Sequence, residues 1–118
     1  MTIILVRENY VALRHLNQMV EECYPGSTIV ALSSAEKAIE MIKKNGKQID
    51  LCFTEVVMHG SSGFRIVEEL RWRNRRAKTV LIAQDKDYAL EALRVGVNDY
   101  LIEPLTIENI HHVQISCR

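Results

Sequence analysis

Several things are missing from this 118-residue chain, and each absence excludes a class of protein. No apolar run approaches the ~20 residues of a membrane-spanning helix. There is no excess of charge of either sign. Fifteen basic and fifteen acidic side chains cancel, so no overall field draws the chain to DNA, RNA or an anionic membrane, and direct nucleic-acid binding is not expected. Cysteine is sparse: Cys23, Cys52 and Cys117 are odd in number and lack metal-ligand spacing, which predicts reduced thiols and a cytoplasmic location. Met1 runs straight into TIILV, without the cleavable apolar region of a secretory signal. Internal repeats, low-complexity tracts and interdomain linkers are absent too. Length for one core remains, so residues 1–118 are expected to form a single domain.

What is present is alternation. Ile3-Ile4-Leu5-Val6 is a continuous apolar run, as in a strand covered on both faces. From about Glu8 to Cys23, Val11, Leu13, Leu16, Met19, Val20 and Cys23 recur at helical spacing. Pro25-Gly26-Ser27 closes that helix and Thr28 to Leu32 forms the second strand. Ser33 and Glu36 fit a capping box for the next helix, whose inner stripe is Ala35, Ala38, Ile39 and Ile42. Gly46 suits its left-handed C-terminal cap. Leu51 to Thr54 is the third strand and Gly63 to Arg73 the third helix, with Phe64, Val67 and Leu70 inward and Glu68, Glu69 and Arg71 facing water. Thr79 to Ala83, a helix from Tyr88 to Val95 closed by Gly96, Asp99 to Ile102, and a last helix from about Thr106 complete the series. Strands separated by helical stretches predict right-handed crossovers: an α/β, doubly wound, five-stranded parallel sheet with about five helices on both faces.

Within this frame the stretch Ile49 to Gly63, IDLCFTEVVMHGSSG, carries the most information. A buried strand ends on a carboxylate, Glu55, and breaks into a glycine-containing loop. Open α/β sheets place their chemistry at that end of the strands. The segment Glu55-Val56-Val57-Met58-His59-Gly60 resembles the phosphorylation loop of response-regulator receiver domains, in which an aspartate precedes a Met-Pro-Gly turn. Tyr88 to Pro104 resembles the family's block running from the fourth helix to a Lys-Pro after the fifth strand, closest in flavour to receivers joined to LytTR-type DNA-binding domains. The resemblance covers about residues 3 to 110. It implies the CheY-like, flavodoxin-like strand order 2-1-3-4-5 and a role in two-component signalling. It also implies a DNA-binding domain beyond Arg118, which these residues do not encode.

Carried over position by position, the family's reactive site is largely replaced. Where the family has an acidic pair holding a divalent metal, this chain has Arg7-Glu8. The phosphoryl-accepting aspartate is matched by Glu55. The hydroxyl residue ending the fourth strand is matched by Ala83, and the lysine after the fifth by Glu103. The proline of the loop is His59, while the aromatic of the fifth strand is kept as Tyr100. An extra methylene at Glu55 displaces the attacking oxygen by about an ångström, enough to spoil in-line geometry. Arg7 repels Mg2+, so metal binding is expected to be lost and no cofactor is expected. Without metal and lysine, charge on a transferred phosphoryl group goes uncompensated. Arg7 is instead expected to fork onto Glu55 or Glu103.

A degenerate receiver follows: a non-enzymatic interaction module, with no catalytic residue and no metal ligand. Glu55 then reads either as a standing mimic of the phosphorylated state or as one member of a fixed ion-pair network. Tyr100 is either a switch rotamer or a half-buried residue of an interaction face. That face would be built by Tyr88, Leu93, Tyr100 and Ile107 to Val113, serving a homodimer or another signalling protein. Two alternatives stay open, a phospho-acceptor of unusual chemistry and a flavodoxin-like binder of a small cofactor. Against the latter, the loop after Val6 lacks a phosphate cradle.

Two further features read first as ordinary surface. Arg71-Trp72-Arg73-Asn74-Arg75-Arg76-Ala77-Lys78 is the solvated end of a helix, or else a patch for an acidic partner or nucleic acid. His111 and His112 point about 100° apart on a helix and do not converge on one ion.

Overall fold

The computed structural model describes residues 1–113, so Cys117 lies outside the described residues. The strands are β1 (Thr2–Val6), β2 (Thr28–Leu32), β3 (Leu51–Glu55), β4 (Val57–Met58), β5 (Ser61–Ser62), β6 (Lys78–Ala83) and β7 (Asp99–Ile102). The helices are α1 (Tyr10–Cys23), α2 (Ala35–Asn45), α3 (Gly63–Arg73), α4 (Ala89–Val95) and α5 (Ile107–His111). Five strands make one parallel sheet in the order β2-β1-β3-β6-β7. Leaving aside the small antiparallel ribbon β4-β5, the sheet is doubly wound as the alternation predicts, and its order is the one the resemblance implies.

Period-two geometry sends alternate strand residues to opposite faces, and both faces are covered. Ile3, Leu5, Phe53, Val80 and Ile82 pack with Leu13, Leu16 and Val20 of α1 and Ile110 of α5. Ile4, Val6 and Cys52 pack with Ala38 and Ile42 of α2 and Ile66 and Leu70 of α3. This explains the unbroken apolar runs of β1, β3 and β6: a sheet buried on both sides has no use for a polar face. Burial in that core pushes the Cys52 thiol up to about 12, so Cys52 is a small core residue with no reactive thiolate.

Several local expectations give way to tertiary context. α1 starts at Tyr10 rather than Glu8, because Asn9 accepts from the Ala12 N–H at 2.9 Å as its N-cap. Val11 faces solvent, since the buried stripe is Leu13, Leu16 and Val20. Ser34, not Ser33, caps α2 by accepting from the Lys37 N–H, which moves Glu36 out of capping-box register. Gly46 is right-handed (φ −54°) and carries the chain into a 3-10 turn, Gly46–Gln48. A Cβ there would lie 3.3 Å from Cβ of Arg73, so a larger residue would have to push that side chain aside by a few tenths of an ångström. Glu69 is half-buried against Arg73 rather than turned to water. Gly96 does close α4 in the left-handed region, at φ 85°. Thr106 and Asn109 form a reciprocal capping box that starts α5.

Candidate functional site

Parallel strands deliver their last residues to one edge of the sheet. β1 ends beside Arg7 and Glu8, β3 ends at Glu55, β6 at Ala83, and β7 is followed by Glu103. The Glu103 N–H donates to the Ala83 carbonyl at 2.9 Å and the Val56 N–H to the Ile82 carbonyl at 3.0 Å, so the ends are held in register. A cleft of about 380 Å3 opens here, lined by Arg7, Glu55, Ala83, Asp85, Tyr88 and Glu103 among others.

Arg7 is only 5% exposed, and its cation has nowhere to go but onto the carboxylates. Its Nη2 lies 2.9 Å from Glu103 Oε2, while its Nε lies 3.5 Å from Glu55 Oε2. Nε makes no hydrogen bond among the described residues, so the Glu55 contact is ionic in character. The guanidinium spans both glutamates instead of forking onto one. Glu55 Oε1 also accepts the Glu8 backbone N–H at 2.6 Å. The carboxylate at the end of β3 is thus held by the chain that follows β1.

Glu8 points elsewhere. Its Oε2 accepts the His59 backbone N–H at 2.7 Å, and its Oε1 lies 3.1 Å from His59 Nδ1. This contact ties the β4-β5 ribbon to the end of β1, and it escaped sequence reading because the two residues are 51 apart. Only the loop pattern Met58-His59-Gly60 hinted at a turn there; Gly60 sits at φ 75°. The sequence marks Gly63 as a helix start, and the structure adds that the backbone crowds it: a Cβ would collide with the Glu55 carbonyl oxygen. Its N–H donates to the Val56 carbonyl at 2.8 Å, clamping α3 onto the end of β3.

Tyr100 is half-buried, and its hydroxyl donates to the Asp85 carbonyl at 2.7 Å, fastening β7 to the loop after β6. Burial pushes this hydroxyl above its ordinary pKa, and the nearby Asp85 and Asp87 carboxylates act in the same direction against a lowering contribution from the Tyr88 backbone. Ala83 is buried and offers no hydroxyl. Tyr88, which also lines the cleft, and Leu93 and Ile107 are exposed around α4 and the start of α5. His111 and His112 are exposed as well.

A doubly wound sheet with its charged residues gathered at the carboxyl ends of β1, β3 and β7 defines a class: α/β modules that use this edge as their site. The response regulator receiver domain family matches residues 3–114, and the chain belongs to that family. Two-component response regulator ARR10 of Arabidopsis thaliana is 25% identical over 114 residues, spanning 96% of this chain and 20% of that protein. Transcriptional regulatory protein MalR of Bacillus subtilis is 32% identical over 78 residues, 64% of this chain and 32% of MalR. The chain therefore spans about a fifth to a third of the length of these two curated relatives. A response regulator receiver domain protein from Clostridium thermocellum superposes with a TM-score of 0.83 at 21% identity, covering 93% of this chain and 87% of that one. The response regulatory domain of MrkE from Klebsiella pneumoniae gives 0.83 at 19% identity, covering 94% and 89%. These likenesses bear on the fold. No helix among the described residues is long and apolar enough to cross a membrane.

Proposed function

We propose that this receiver works as a pseudo-receiver: a non-enzymatic, cytoplasmic interaction module of two-component signalling, folded as one domain, in which a standing ion-pair network replaces the phosphorylation cycle. The observation that carries this is Arg7, a buried cation lying between Glu55 and Glu103. Mg2+ needs near-octahedral oxygen ligation with its own waters. Here Glu55 is engaged by Arg7 and the Glu8 N–H, and Glu8 by His59. That donor set does not fit the ion, and Arg7 supplies the compensating charge instead. Ala83 and Glu103 stand where the resemblance places a hydroxyl and a lysine to read an arriving phosphoryl group. The same loss argues against Glu55 as a mimic of the phosphorylated state and favours the fixed network.

The output surface in this reading is the face formed by α4, β7 and α5. Leu90 is 61% and Leu93 76% exposed, with Tyr88, Ile102 and Ile107 exposed nearby. It would pair two copies of this chain or receive another signalling protein, as in receivers joined to LytTR-type DNA-binding domains. The test is incubation with a small-molecule phosphoryl donor and MgCl2, followed by intact-mass measurement. The natural chain should gain no phosphoryl mass. The variant Arg7→Asp, Glu55→Asp, His59→Pro, Ala83→Thr, Glu103→Lys should gain it. A phosphoryl adduct on Glu55 of the natural chain would overturn the proposal in favour of an atypical acceptor.

A further inference from the structure

The fixed network leaves one motif unused, the basic run at the end of α3. Its tryptophan, Trp72, is the only one in the chain and is 82% exposed. A large ring so placed leaves most of its apolar area in water, at roughly 25 cal/mol per Å2 forgone. The ring also has a cationic neighbour. The Arg73 guanidinium lies 5.4 Å from its centroid, and Arg73 is itself fixed by Glu69 at 2.6 Å. Beneath it, the Asn74 side chain donates to the carbonyls of Gly46 at 3.1 Å and Ile49 at 2.9 Å, joining the end of α3 to the turn after α2. On the other flank, Arg71 donates to the Gly96 carbonyl at 2.8 Å, joining α3 to the end of α4.

Arg71 and Arg73 are thus spent on structure, whereas Arg75 and Arg94 make no ion pair among the described residues. They line a groove beside Trp72, floored in part by Val95. An exposed indole flanked by arginines has the composition of a binding hot spot, where aromatic and guanidinium groups supply most of the energy.

We propose that this groove between the carboxyl-terminal ends of α3 and α4 docks an acidic polypeptide segment carrying one apolar or aromatic anchor. The anchor covers Trp72 and Val95 while its carboxylates meet Arg75 and Arg94. One observation favours a polypeptide over a nucleic acid. Glu68 lies inside the groove with Arg75 and Arg94; a peptide can space its carboxylates onto the arginines and turn an N–H to Glu68, whereas a phosphate backbone carries a negative charge on every nucleotide and offers Glu68 no donor.

Because Trp72 is the sole tryptophan, its own emission reports occupancy. The full chain is titrated with a synthetic peptide of Glu and Asp around a central Phe, with oligothymidylate as a second arm. The acidic peptide should move the emission to shorter wavelength and saturate. Arg75→Glu with Arg94→Glu, both exposed, should weaken it about tenfold or more without changing the thermal midpoint. Absence of any emission change up to millimolar peptide, or equal binding by the reversed-charge variant, would overturn the proposal. Tighter binding of oligothymidylate than of the peptide would overturn it too, by making the face a nucleic-acid platform.

Discussion

At the scale of single residues, the chain turns on Arg7. Removing a buried cation strands the charges it balanced, and the carboxylates then face each other across the cleft. Glu55 and Glu103 are partly exposed, 17% and 31% by side chain, so water takes up some of the loss. Arg7→Ala should therefore cost about 2–3 kcal/mol, below the full penalty for breaking a buried pair. Adding Glu55→Gln and Glu103→Gln should recover much of it, because the repulsion disappears with the charges. Chemical denaturation of the single and triple variants checks this. A single variant as stable as the natural chain would show that the cluster is solvated and unimportant. The meeting of Arg7 with the glutamates was legible in the sequence, because each residue follows or ends a strand and parallel strands bring such ends together. The Glu8–His59 contact was not legible. It depends on how the ribbon folds back, which no local pattern encodes.

At the scale of elements, strands read more plainly than caps and turns. β1, β3 and β6 announce themselves as apolar runs, since a sheet covered on both faces admits little else. The sequence pattern points to Ser33 where Ser34 is the cap, starts α1 two residues early at Glu8, and places Gly46 correctly at the end of α2 but with the wrong hand; such details are decided by packing of the whole helix. The joint between β3 and α3 shows what such packing demands. Gly63 lies against the Glu55 carbonyl, with α3 clamped by the Gly63 N–H to Val56. Gly63→Ala adds a methyl where backbone already stands, and backbone cannot turn aside as a long side chain can. The helix start must shift, so the substitution should cost about 2–4 kcal/mol even though alanine is the better helix former. Gly60→Ala makes a useful contrast: nothing lies within reach of its added methyl, and the cost there is conformational, about 1 kcal/mol. Thermal unfolding of the two variants should rank Gly63→Ala well below Gly60→Ala; the reverse order would show that the joint is pliable.

At the scale of the whole molecule, alternation and the right-handedness of crossovers call for a parallel doubly wound sheet, while its order, β2-β1-β3-β6-β7, is the one the family resemblance implies. Partners are a different matter, because a surface is shaped by what it meets and one chain carries only half of that record. Apolar residues inside the sheet are explained by the core. Leu90, Leu93, Ile102 and Ile107 are not, for they stand 38–76% exposed on adjoining elements. Contiguous exposed apolar surface marks an interface in soluble proteins. If two copies meet through it, a two-fold arrangement uses the same patch on both, so Leu93 enters the contact twice and one substitution acts twice. Leu93→Glu then sets a carboxylate against an apolar surface from each side at once. Sedimentation or light scattering should show a concentration-dependent dimer for the natural chain and a monomer for Leu93→Glu at equal thermal stability. A natural chain that stays monomeric at millimolar concentration would reserve this face for a different signalling protein, and the ion-pair network at the strand ends would be untouched by that result.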